Sequence, residues 1–99
     1  MAEQLLTFHC ASVDADQLAE IIRAHCSAAL HRRAEEVLGR DFGDADTGER
    51  VSGILRRQAL ELIVEEEMVE PLVAAVAGAR RALPVRWHCV PVLRRGRIA

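Results

Sequence analysis

The chain has 99 residues, enough for one compact domain and too few for two, and its 51% hydrophobic and 3% aromatic content implies a modest core. All 13 basic residues are arginine, and lysine, tyrosine and asparagine do not occur. That composition excludes a P-loop lysine, a Schiff-base lysine and a tyrosine nucleophile, and a formal net charge of −2 lacks the basic footprint of a nucleic-acid binder.

Residues 4–11 begin apolar and settle into alternation, with Leu6, Phe8 and Cys10 on one side and Leu5, Thr7, His9 and Ala11 on the other. This predicts a first strand. Asp14 is then expected to cap a helix over 15–26, with Gln17 at the capping-box position and Val13 stapling onto Leu18. Leu18, Ile21, Ile22, Cys26 and Ala29 recur at helical spacing. Residues 27–38 are rich in Ala, Glu, Arg and Leu; their propensity favours extending the helix to Gly39, and a second strand is the alternative. From 39 to 53 four glycines alternate with Asp41, Asp44, Asp46 and Glu49, flanked by Arg40 and Arg50, which reads as a long functional loop. Asp44-Ala-Asp46-Thr-Gly48 matches the start of a calcium loop, but the remaining ligand spacing is missing.

Residues 54–64 predict a strand with Leu60, Leu62 and Val64 on one face and Ala59, Glu61 and Ile63 on the other. Glu65, Glu66, Glu67 and Glu70 then crowd the start of a second helix, where carboxylates complement the dipole and Pro71 is tolerated. Leu72, Val76, Ala79 and Leu83 are its expected buried stripe, Arg80 and Arg81 suit its C-terminal end, and Pro84 stops it. A last strand runs from Val85 to about Val92, followed by a tail carrying Arg94, Arg95 and Arg97.

If 27–38 is a strand, the order is βαββαβ, an α+β ferredoxin-like domain spanning 1–99: a four-stranded antiparallel sheet, order 4-1-3-2, with two helices on one face. The open face would carry Leu5, Thr7, His9, Ala11, Ala59, Ile63, His88, Val90 and Val92. Such an apolar face is expected to pack against other copies of the chain.

The three cysteines each follow a histidine, in His9-Cys10, His25-Cys26 and His88-Cys89. Their number and spacing fit neither a disulfide framework nor a C-x-x-C site. Met1 to Leu6 lacks the pattern of a signal peptide, and the longest apolar candidate, 69–79, is interrupted by Glu70 and Pro71. A cytoplasmic protein without membrane insertion is expected.

Leu5-Leu6-Thr7-Phe8, Glu49-Arg50-Val51-Ser52-Gly53 with Arg56-Arg57, and Val90-Pro91-Val92-Leu93-Arg94-Arg95-Gly96-Arg97-Ile98 resemble the short PII-like proteins catalogued as domain of unknown function 3240. The resemblance spans nearly the whole chain. It implies a homotrimer with open sheet faces around a three-fold axis, effectors such as adenine nucleotides bound between subunits, and a loop that engages a transporter or enzyme. A link to heavy-metal efflux pumps is also implied. The chain departs from the pattern after its first helix, where His25-Cys26-Ser27-Ala28-Ala29 replaces a glycine-containing turn, and it lacks the better-known PII nucleotide signatures.

On this reading Gly39, Arg40, Asp41, Gly43, Asp44, Asp46, Gly48 and Gly53 form the partner loop, its glycines freeing the backbone. Arg50, Arg94, Arg95 and Arg97 are the candidate effector ligands, since guanidinium forks bind phosphate oxygens bidentately. Imidazole and thiolate suit zinc or copper, but neighbours on a strand point to opposite faces. His9 and His88 should therefore share the open face, as the ligands of an alternative metal-binding tolerance protein, with Cys10 and Cys89 under the helices. The same division argues against a Cys–His nucleophile, so no enzyme is expected.

Overall fold

A computed structural model describes residues 2–38, 48 and 53–99. Strand β1 (Glu3–Ala11) leads through a 3-10 turn (Ser12–Asp14) into helix α1 (Ala15–His25) and then strand β2 (His31–Leu38). Strand β3 (Ile54–Glu65), a second 3-10 turn (Glu66–Met68), helix α2 (Val69–Ala77) and strand β4 (Arg86–Pro91) complete the order. The sheet order is β2-β3-β1-β4 with every pair antiparallel, which is the expected ferredoxin-like topology.

The core follows the sequence periodicities. Leu6, Phe8 and Cys10 pair across β1 and β3 with Leu62, Leu60 and Gln58, so the period-2 alternation sends one continuous apolar layer toward the helices. Ala15, Leu18, Ala19 and Ile22 of α1 and Val69, Leu72 and Val76 of α2 bury the helical stripes against that layer.

Residues 31–38 are strand. Helix preference among their residues amounts to less than about 0.7 kcal/mol each. Against it stands an eight-residue register with β3, from His31↔Glu61 to Leu38↔Ile54, which gives the long β3 a partner for its edge. Arg32 reinforces the pairing by donating to Gln58 (2.8 Å) and to Asp16 on α1 (2.7 Å).

The expected cap and staple at α1 do not form. Asp14 makes no side-chain bond to the helix start, and Val13 is 77% exposed. The Asp14 carboxylate is buried and turns toward the segment after α2, accepting hydrogen bonds from the Ala82 N–H (2.9 and 3.0 Å) and the Leu83 N–H (3.2 Å). Helix α2 is also shorter than its sequence pattern predicts. It ends at Ala77, and Arg80, Arg81 and Leu83 lie beyond it. Arg81 nevertheless serves the C-terminal end from outside, donating to the carbonyls of Val76 (3.3 Å) and Ala77 (3.1 Å). At the other end of that connection Glu65 closes β3, and Glu66 and Glu67 belong to the 3-10 turn.

Candidate functional site

Neither helix covers the second face of the sheet. Strand register places Leu5, Thr7 and His9 of β1 there, with Ala59, Glu61 and Ile63 of β3 and His88 and Val90 of β4. Strand β2 adds His31, Arg33, Glu35 and Val37. The face is thus less apolar than the sequence predicts, because β2 adds Arg33 and Glu35, and register places Arg57 and Arg86 there as well. Small residues sink between the long ones: Thr7 and Ala59 are buried although no helix lies over them.

Two polar rows cross this face. In the first, the His9 ring meets the Glu35 carboxylate through Nδ1. The other side of His9 meets His88, with ring centroids 5.4 Å apart and planes 17° from parallel. The two residues are diagonal across β1 and β4, since Thr7 stands opposite His88 and His9 opposite Arg86. Cys10 and Cys89 take the other face, as the alternation requires. Cys10 is fully buried, and desolvation, aided by the negative charge of Asp14, pushes its thiol pKa up to about 11. Such a thiol is protonated at neutral pH and is no nucleophile. Cys89 is exposed, where the sequence predicts it under the helices.

In the second row the Thr7 hydroxyl donates to Glu61 Oε2 at 2.7 Å, and Arg33 donates to both Glu61 oxygens at 3.3 and 3.4 Å. The Thr7 hydrogen bond, with Arg33 adding, holds the Glu61 carboxyl below its usual range despite partial desolvation. Glu35 and Glu61 both come from strands on the far side of β1 from His88, and their roles are invisible in the sequence until the register of β2 and β3 is known.

The tail leaves β4 beside the start of β1, where the Val92 N–H donates to the Glu3 carbonyl at 3.0 Å. Arg95 grips the Glu3 carboxylate with both arms of its guanidinium, Nε at 3.0 Å and Nη2 at 2.7 Å, and its pKa is raised by that contact. It borders a cleft of about 350 Å³ lined also by Leu5, Ala28, Ala29, His31, Leu62 and Ile63. Arg94 and Arg97 are exposed. Arg50 lies outside the described residues, as do Gly39, Arg40, Asp41, Gly43, Asp44 and Asp46 of the expected partner loop. Gly48 is exposed, and Gly53 has φ +75°, a left-handed turn that favours glycine just before β3. Leu38 and Ile54 pair at one end of the sheet, whereas the tail sits at the opposite end beside Glu3. Within one copy the two stand about a strand length apart, roughly 25–30 Å.

Among the described residues no three His, Cys, Asp or Glu side chains are grouped so as to hold a metal ion. No described helix is long and apolar enough to cross a membrane.

Comparison with solved structures places this geometry in a known group. A DUF3240 family protein from Shewanella baltica superposes with TM-score 0.73 at 15% identity, over 100% of this chain and 99% of its own. CPII from Thiomonas intermedia K12, a nitrogen regulatory PII-like protein solved with ADP, AMP and bicarbonate, superposes with TM-score 0.64 at 13% identity, over 96% and 97%. A PII-like signalling protein from Thermus thermophilus gives TM-score 0.58 at 18% identity, over 93% and 90%. At these identities the likeness shows the fold. No curated protein matches the sequence. The family described as protein of unknown function (DUF3240) matches residues 6–99, and the chain belongs to it, with a PII-like fold.

Proposed function

We propose that this protein is a cytoplasmic PII-like regulator and not an enzyme. It assembles as a homotrimer through the open sheet face, binds a small anionic effector of the adenine nucleotide class between subunits, and signals through the 39–53 loop to a protein partner. The observation that carries the reading is the uncovered face. Leu5, Ile63 and Val90 stand there beside ordered polar rows, on a fold whose relative CPII was solved with ADP and AMP. Burial of that face compensates for the modest core of a chain this short.

Assembly gives the arginines a common ligand. The effector is held between copies by Arg50, Arg94, Arg95 and Arg97, whose guanidinium forks suit its phosphate oxygens. Arg95 is already committed to Glu3, so an effector phosphate takes it in exchange for that carboxylate. A membrane transporter of the metal-efflux class is the partner this reading favours.

Light scattering on the purified chain at micromolar concentration, with calorimetric titration of ADP, tests the proposal. A trimer that binds ADP, and binds it more weakly after Arg95→Ala, is expected. A monomer at every concentration removes the intersubunit site, and a trimer indifferent to ADP and AMP removes the nucleotide.

A further inference from the structure

The geometry points to a metal site of the borderline divalent ions, Cu²⁺ above all, in which His9 and His88 are ligands and Glu35 is the positioning residue. A carboxylate on Nδ1 fixes one imidazole tautomer, with the proton between Nδ1 and the carboxylate and the lone pair on Nε2. That is the arrangement in which histidine ligates metals, the outer carboxylate orienting the ring and raising its basicity. Glu35 supplies it to His9.

The second imidazole stands at the right range. Two imidazoles bound cis to one tetragonal Cu²⁺ at about 2.0 Å per nitrogen have centroids about 4.5 Å apart, and those of His9 and His88 are 5.4 Å apart, so His88 closes on His9 by about 1 Å when both bind. Their near-parallel planes need one adjustment, because a ligand lone pair lies in its ring plane. His88 can make it: it is exposed, and among the described residues no hydrogen bond restrains it. Turning its side chain to another staggered rotamer costs little.

Donor type selects the ion. One carboxylate and two imidazoles do not make the oxygen cluster that hard cations require. Imidazole nitrogen suits copper, nickel and zinc, with Cu²⁺ tightest. Because no third protein donor is grouped with the pair among the described residues, water completes the coordination. Both imidazoles come from one copy, on the face proposed to pack in the homotrimer.

Electron paramagnetic resonance on the full chain with one equivalent of Cu²⁺ tests it. Hyperfine splitting from two imidazole nitrogens is expected, altered by ¹⁵N-histidine labelling, retained in a His25→Ala, His31→Ala variant and lost in a His9→Ala, His88→Ala variant. Glu35→Gln is expected to keep the two-nitrogen signal and to weaken Cu²⁺ binding about tenfold to a hundredfold. A wild-type spectrum without two nitrogens overturns the site by itself, even should the double variant fail to fold. Loss of the signal in the His25, His31 variant overturns it too, and unchanged affinity in Glu35→Gln overturns the role of Glu35.

Discussion

Replacing Asp14 by alanine is the most direct test of how the two halves of this fold are tied together. The carboxylate sits at the entry to α1, yet its partners are the amides of Ala82 and Leu83, 68 and 69 residues along the chain. Hydrogen bonds to a charged group are worth about 1.5–3 kcal/mol. Removing this acceptor breaks the bonds to two donors, so Asp14→Ala should cost about 2–3 kcal/mol. For a domain of this size that lowers Tm by about 10 °C or more. Asp14→Asn keeps an acceptor oxygen without the charge and should cost about half as much.

Urea unfolding followed by circular dichroism, at one fixed protein concentration so that assembly does not shift the midpoint, gives the magnitude. Amide hydrogen exchange gives the location. Protection at Ala82 and Leu83 should fall in Asp14→Ala, while the first turn of α1 exchanges as before. A helix cap would give the opposite pattern. A loss under about 0.5 kcal/mol, the ordinary range of a featureless surface substitution, or undiminished protection at both amides, would refute the long-range tie.

Two further outcomes follow from the sites. Glu61 has a lowered pKa in the folded chain, so its contribution to stability is present above the ordinary value of about 4.3 and is lost as pH falls through the folded value below it. Thr7→Val should move the Glu61 titration, read by NMR, up toward the ordinary value and weaken the fall in stability with pH on the acid side. Cys10 works in the other direction: its pKa of about 11 exceeds the ordinary 9.0, so the unfolded chain ionises first, and stability declines as pH rises from about 9 to 11. At about pH 8 iodoacetamide should label exposed Cys89 fastest and Cys10 slowest, and prompt labelling of Cys10 in the folded chain would contradict its burial.

The period of two in Leu5 to Ala11 and in Ala59 to Val64 was enough to assign the face of every residue in those stretches of β1 and β3, and the helical spacing placed Leu18, Ile22, Leu72 and Val76 in the core, whereas Ala15, Ala19 and Val69 join it only in the folded chain. They also put His9 and His88 on one side and Cys10 and Cys89 on the other, because alternation is a local property of an extended backbone. Residues 31–38 were not legible in that way. Their composition favours helix, and only the unpaired edge of β3, on the far side of the 39–53 segment, makes them strand. Everything that depends on β2 inherits that ambiguity, including the Glu35 contact to His9 and the Arg33 contact to Glu61. Asp14 is the clearest case. Its sequence neighbours spell a helix cap, and its burial beside a segment near the other end of the chain gives it a different task. Local pattern determines which way a side chain faces; what it meets there is decided by residues that only the folded chain brings near.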